Sequence, residues 1–105
     1  MIPEDRLDEI ARRFEYLEAR MAEASDGGEI ARLAREYAGL KPVVAAIDAW
    51  RAAQAGIAEA EAMLSEPEMA ELAAEEKAAL EAKLPALEQE LRRALIPRDE
   101  ADSRS

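Results

Sequence analysis

Residues 7–21 read LDEIARRFEYLEARM, and large apolar side chains recur in this stretch at every third or fourth position. They are Leu7, Ile10, Phe14, Leu17 and Met21. This spacing places them on one face of an α-helix, which completes a turn in about 3.6 residues. We expect the helix over about residues 3–24, with Pro3 in its first turn. Glu9 and Arg13, four residues apart on the polar face, are expected to form an ion pair.

The four residues Ser25-Asp26-Gly27-Gly28 interrupt this pattern. Two successive glycines favour the end of a helix, because glycine adopts positive φ without a steric cost. Asp26 is suited to cap the next helix, and Glu29, three residues later, would complete a capping box. A connector this short predicts that the helices on either side of it are antiparallel neighbours.

The second periodic segment covers about residues 29–64. Its stripe comprises Ile30, Leu33, Tyr37, Leu40, Val44, Ile47, Trp50, Ile57 and Leu64, with Gln54 and Glu61 as polar interruptions. We expect one long helix that bends at Pro42, because proline removes a backbone hydrogen bond. Trp50 lies on the stripe and is expected in the core, whereas an exposed Trp50 would be a candidate anchor for a partner.

The third segment begins at Ser65-Glu66-Pro67-Glu68, where Ser65 is expected as the N-cap and Glu68 completes a second capping box. Its stripe comprises Met69, Leu72, Leu80, Leu84, Leu87, Leu91 and Leu95. Large apolar residues are missing between positions 73 and 79, which leaves open a short helix followed by a longer one. Pro85 predicts a kink, and Pro97 predicts the end of the last helix.

These segments together predict an all-α fold, an antiparallel bundle of three main helices with coiled-coil-like packing, in which helix two is long and kinked. The composition agrees, because alanine favours helices and only 4% of the residues are aromatic. Residues 1–97 are expected to form the helical domain. Residues 98–105 are expected to be a polar linker to a core that these 105 residues do not include.

The chain carries a formal net charge of −10 at pH 7. Negative charge repels phosphate backbones and anionic lipids, so direct binding to nucleic acid or membrane is not expected. An acidic surface suits a basic protein partner, or it simply keeps the chain soluble. No apolar run reaches the roughly 20 residues of a membrane span, and no signal peptide is evident, so we expect a cytoplasmic protein.

No pattern of side chains indicates catalysis. The chain has no histidine and no cysteine, which removes the commonest general base, the commonest zinc ligand and any thiolate. Its carboxylates are expected to be solvated on polar helix faces, and no EF-hand spacing is present. Gly27-Gly28-Glu29 lacks the G-K-[ST] of a phosphate-binding loop. We therefore expect a chain that is not an enzyme, and we assign no catalytic, cofactor-binding or metal-binding residue.

Three short segments carry a resemblance to a known family. They are Arg35-Glu36-Tyr37-Ala38-Gly39-Leu40, Glu66-Pro67-Glu68-Met69 and Leu95-Ile96-Pro97-Arg98-Asp99. In this order the chain resembles the N-terminal domain of bacterial class I peptide chain release factors, and the resemblance covers essentially its whole length. Pro42 and Pro85 depart from the family's pattern, which puts the straightness of the helices in doubt. Glu100 stands where the family commonly has a proline.

The resemblance implies a positional role in translation termination, near the base of the ribosomal stalk. It implies as partners a ribosomal protein at that place, release factor 3 and the rest of its own chain, with the exposed face of helices one and two as the contact surface. In the family, the hydrolytic Gly-Gly-Gln and the codon-reading tripeptide both lie further along the chain than residue 105. Gly27-Gly28-Glu29 is not the hydrolytic tripeptide, because it ends in glutamate and lies between two helices. The alternative is a free-standing acidic coiled-coil scaffold that homodimerises through Leu80, Leu84, Leu87 and Leu91.

Overall fold

A computed structural model describes residues 2–96, and this part of the chain contains three helices and no strand. They are α1 (Glu4–Glu23), α2 (Gly27–Met63) and α3 (Ala70–Ala94). The chain divides into two compact units, Met1–Ile47 and Asp48–Ser105, so α2 contributes to both. The first unit pairs α1 with the start of α2, and the second pairs the rest of α2 with α3. The prediction of an all-α fold built from packed helices is confirmed.

The bounds of α1 agree with its apolar stripe. Pro3 is the N-cap, and its carbonyl accepts hydrogen bonds from the backbone N–H groups of Arg6 at 3.1 Å and Leu7 at 3.2 Å. Glu4 and Asp5 occupy the first turn, where the helix dipole favours negative charge. Leu7 and Leu17 of the predicted stripe are fully buried, so this stripe does face the core.

The prediction that the two glycines end α1 is wrong. The chain leaves the helix at Ala24, which has an extended backbone, whereas Gly27 and Gly28 form the first turn of α2 without positive φ. The capping role of Asp26 is confirmed, because its carboxylate accepts a hydrogen bond from the Glu29 N–H at 2.9 Å. The Glu29 carboxylate does not complete a capping box. It binds the Arg20 guanidinium at 2.7 Å, a charged donor and therefore the stronger one.

Both long helices continue through their prolines. α2 is unbroken across Pro42 and α3 across Pro85, and the kinks expected at these positions stay predictions. The alternative of a short helix followed by a longer one is wrong, because α3 also runs unbroken through residues 73–79. Ala73 is buried and continues the inward face there, whereas Leu72, expected in the core, is 59% exposed. Counting only large apolar residues made the stripe look interrupted.

In the second half of α2, too, small residues that the predicted stripe did not include are buried. Gln54 and Glu61, assigned to the stripe, are exposed, and the buried positions are Ala53 and Ala60 together with Trp50. Small residues here allow α3 to approach closely. A Cβ added to Gly56 would lie 2.7 Å from Leu80 Cδ1, which is shorter than an ordinary contact. Trp50 is in the core, as predicted.

The turn between α2 and α3 is also built differently from the prediction. Ser65 does not cap α3, because its hydroxyl donates to the Ala62 carbonyl at 3.2 Å. Met69 is the N-cap and makes no side-chain cap hydrogen bond. The carbonyl of Glu66 instead accepts from the N–H groups of Met69 at 3.0 Å and Ala70 at 2.8 Å. The predicted stop at Pro97 and the linker over 98–105 lie outside the described residues.

The leucines proposed for homodimerisation are largely covered within one molecule. Leu91 is fully buried, and Leu80, Leu84 and Leu87 are half-buried. A free-standing coiled-coil dimer would need these side chains at the surface, so the structure offers no support for that alternative. Within residues 2–96, no helix combines the length and apolar character needed to cross a bilayer.

Candidate functional site

Polar side chains join α1 to α2 in the first unit. Arg13 binds Glu36 through two hydrogen bonds, Nε to Oε2 at 2.6 Å and Nη2 to Oε1 at 2.8 Å. The expected pairing of Arg13 with Glu9 is thus replaced by a bond to the neighbouring helix. A two-pronged guanidinium–carboxylate pair fixes the relative positions of its partners better than a single contact. Because both side chains of the pair are exposed, it adds only modestly to a register that the buried Leu7 and Leu17 also stabilise.

Two further polar contacts join α1 to α2. Arg20 binds Glu29 at 2.7 Å, and the Tyr37 hydroxyl donates to the Glu18 carboxylate at 3.0 Å. Of the two ion pairs, Arg20 with Glu29 lies near the connector, and Arg13 with Glu36 lies farther from it along both helices. The two helices are therefore antiparallel, which confirms the expectation from the short connector.

Aromatic rings reinforce the same face. The rings of Phe14 and Tyr37 are stacked, with centroids 4.4 Å apart and planes inclined by 14°. Tyr16 is 51% exposed, and the Arg13 guanidinium carbon lies 5.2 Å from its ring centroid. The pair with Glu36 thus also fixes the guanidinium that lies beside the Tyr16 ring.

The electrostatics of this face favour fixed charges over proton transfer. The Arg13 hydrogen bond lowers the pKa of Glu36, and burial raises this pKa by a smaller amount. The hydrogen bond to Glu18 raises the pKa of Tyr37, and bonds to Glu36 and Glu29 raise the pKa of Arg13 and Arg20. Each pKa moves away from neutrality, whereas a general acid or base works best with a pKa near the working pH. These residues are therefore suited to structure and contact.

The segments that carry the family resemblance lie where helices contact each other or end. In the first of them, Glu36 and Tyr37 make the contacts to α1 just described. In the second, Glu66 supplies the carbonyl that receives the start of α3. In the third, Leu95 is the C-cap of α3 and Ile96 is exposed, while positions 97–99 lie outside the described residues. The described parts of these segments thus position helices, and none of them forms a reactive centre.

Sequence reasoning assigned no site residue, and it missed the contacts between α1 and α2. A pattern of residues four apart reports neighbours on one helix and carries no information on the register between two helices. Glu36 stood out only through the resemblance, and Tyr37 stood out through the resemblance and through the apolar stripe. Among residues 2–96, no group of three or more Asp, Glu, His or Cys side chains is arranged to hold a metal ion.

Comparisons with known proteins agree with these observations. The PCRF domain profile matches residues 10–105. The chain is 58% identical over 104 residues to peptide chain release factor 1 of Dinoroseobacter shibae, covering 99% of this chain and 30% of that protein. It is 56% identical over 104 residues to peptide chain release factor 1 of Ruegeria pomeroyi, with the same coverage of 99% and 30%.

A more distant relative shows the same relationship. Peptide chain release factor 1 of Caulobacter vibrioides is 43% identical over 104 residues, which cover 99% of this chain and 29% of that protein. The chain thus spans about 30% of the length of the curated relatives it matches. No solved structure matches it. Because the PCRF profile covers residues 10–105, the chain belongs to the PCRF domain family, in which its relatives are bacterial peptide chain release factors.

Proposed function

We propose that this chain acts in translation termination as the N-terminal, non-catalytic domain of a class I peptide chain release factor. In this role it positions the factor on the ribosome near the base of the stalk. Its partners are a protein of the ribosome at that place, release factor 3 and the remainder of the release factor chain. The observation that carries the proposal is the 58% identity to a peptide chain release factor 1 over 99% of the chain.

The structure supports a positional role in two ways. The contacts of Arg13, Tyr37 and Arg20 join α1 to α2. A domain that positions the rest of the factor on the ribosome needs helices that keep fixed relative positions. The net charge of −10 disfavours contact with ribosomal RNA and favours contact with basic protein. We further propose that residues 1–97 form the domain, that residues 98–105 link it to the decoding core, and that the domain works in the cytoplasm.

A chimera tests this proposal. The part of the Dinoroseobacter shibae release factor 1 that matches this chain is replaced by the chain itself, and a second variant lacks that part. Release of labelled peptide is then measured on ribosomes stalled at a stop codon. We expect the chimera to keep the kcat/KM of the parent factor and the deletion variant to lose about tenfold or more, since lost positioning weakens productive binding.

The isolated chain is the matched control and should release no peptide. A chimera that is as slow as the deletion variant would contradict the proposal, provided that circular dichroism shows the domain to be helical. Peptide release by the isolated chain would contradict the proposal that this domain is non-catalytic. Release factor 3 added to both variants tests that partner, because only the chimera should respond to it as the parent does.

A further inference from the structure

Exposed apolar side chains gather where α2 turns into α3. We call residues 61–72 the α2–α3 corner, and it lies within the second compact unit. Met63, in the last turn of α2, is 37% exposed, Leu64 is 39% exposed, and Leu72, in the first turn of α3, is 59% exposed. Exposed apolar residues that lie singly are ordinary, but three around one turn are typical of an interaction surface.

The charge of the molecule is concentrated around the same corner. Residues 52–76 contain seven glutamates and no lysine or arginine, against a net charge of −10 for the whole chain. The seven are Glu59, Glu61, Glu66, Glu68, Glu71, Glu75 and Glu76. Lys77 lies 3.3 Å from Glu61 and compensates that one carboxylate. The remaining charges make the corner the most negative part of the sequence.

Two helix ends of opposite partial charge meet at this corner. A helix carries partial negative charge at its C-terminus, and basic residues commonly neutralise it. Arg20 does so in the last turn of α1, and Arg92 and Arg93 do so in α3. The last turn of α2 contains no basic residue. The N-terminal end of α3, which carries partial positive charge, lies in the same corner and offsets that of α2. The negative potential beside the exposed apolar side chains therefore comes from the glutamates.

We propose that the α2–α3 corner docks a cationic amphipathic segment of a partner protein. Apolar side chains of that segment contact Met63, Leu64 and Leu72, and its lysines and arginines face the surrounding glutamates. The charge of the corner repels RNA phosphates and anionic lipid. It equally disfavours a second copy of this chain, whose corner is just as negative. The identification of the partner as a ribosomal protein rests on the proposed function, but the docking surface does not.

The first test uses a labelled synthetic peptide with lysine and leucine at helical spacing, and a twin with glutamate in place of lysine. Binding to the full chain is followed by fluorescence anisotropy at physiological salt. The variant is Leu72→Ser and the control is Tyr16→Ser, a position of similar exposure in the first unit, and neither substitution changes the net charge. We expect Leu72→Ser to raise Kd about fivefold or more, as loss of an interface anchor does, and Tyr16→Ser to leave it unchanged.

Both variants carry the same net charge as the parent. A loss of peptide binding in Leu72→Ser alone therefore identifies docking at the corner and excludes a general attraction between opposite charges. An equal loss in the two variants, no loss with Leu72→Ser, or equal binding of the glutamate twin overturns the proposal. Unchanged helicity of both variants is checked by circular dichroism, and both positions are exposed, so folding should be unaffected.

The second test places a photoreactive benzophenone amino acid at position 72, or at position 16 as control, in the full chain mixed with salt-washed bacterial ribosomes. A product from position 72 that protease degrades and ribonuclease does not supports docking to protein. Crosslinks to RNA, crosslinked dimers of the chain, or crosslinks from position 16 alone overturn it. If the chain binds no ribosomes but Leu72 still governs peptide binding, the proposed function fails and the docking surface stands.

Discussion

Gly56 and Gly39 lie inside the same helix but in different surroundings, and alanine substitution should separate them. A Cβ at Gly39 meets nothing within 4 Å, whereas a Cβ at Gly56 lies 2.7 Å from Leu80 Cδ1. In a helix interior, alanine is favoured over glycine by about 0.8–1 kcal/mol, because glycine loses more backbone entropy on folding. Gly39→Ala should therefore stabilise the protein by about 0.5–1 kcal/mol.

Gly56→Ala gains the same helix propensity and then meets Leu80. Carbon atoms in contact are normally about 3.5–4.0 Å apart, so the leucine methyl must retreat by about 1 Å. Leu80 Cγ and Cδ2 lie 3.9 and 4.0 Å from the added carbon, so the end of the leucine side chain packs on this position. Overpacking of this kind costs about 1–3 kcal/mol. Because Leu80 is half-buried and can yield partly, we expect a cost of about 1–2 kcal/mol.

The measurable result is a difference of about 1–2 kcal/mol between Gly39→Ala and Gly56→Ala, the second being neutral or destabilising. Urea unfolding followed by far-ultraviolet circular dichroism gives the comparison, with Trp50 fluorescence reporting the second unit separately. In a Leu80→Ala background the clash is absent, so Gly56→Ala should there become stabilising. Equal stabilisation by the two glycine substitutions in the parent background would refute the close approach of α2 and α3.

Three further predictions concern the first unit. Leu17→Ala should lower the free energy of unfolding by about 2–5 kcal/mol, measured by urea denaturation, because Leu17 is fully buried. Arg13 lowers the pKa of Glu36 in the folded state, so this contribution to stability is present above the unfolded carboxyl pKa of about 4.3 and is lost as the pH falls through the folded pKa. Glu36→Gln should therefore be less stable than the parent at neutral pH, and thermal melts should show this deficit shrinking below about pH 4. In a Tyr16→Phe variant, absorbance titration should place the pKa of Tyr37 above 10.0. Adding Glu18→Gln should lower the pKa of Tyr37, because the carboxylate that accepts its hydrogen bond is lost.

Large apolar residues were sufficient to predict where the helices lie. Leu7 and Leu17 recur at helical spacing and are fully buried, so the bounds of α1 followed within one residue of the prediction. The same rule failed in the second unit, where Ala53, Ala60 and Ala73 are buried. Alanine is common on both faces of these helices, so its presence at a position does not indicate burial. Only the packing of α2 against α3 decides which alanines face inward.

The ends of the helices were harder to predict than their interiors. Asp26 caps α2 as expected, but Ser65 bonds back to the helix that precedes it instead of forward to α3. Both residues match the preferred type for an N-cap, and the local sequence does not distinguish the two outcomes. The choice depends on where the chain must turn to bring α3 against α2, which is set by contacts such as Gly56 with Leu80.

The residues that carry the family resemblance differ from those that carry the proposed docking in whether their side chains are already engaged within the fold. Glu36 and Tyr37 belong to a family-like segment, yet their side chains are engaged with Arg13, Glu18 and Phe14 of the neighbouring helix. A side chain already engaged in this way holds the fold and offers little to a partner. Leu72 belongs to none of these segments and violates the expected burial. The exposure of Leu72 is unfavourable, because transfer of an apolar side chain out of water lowers the free energy. A partner surface that covers Leu72 would provide this stabilisation.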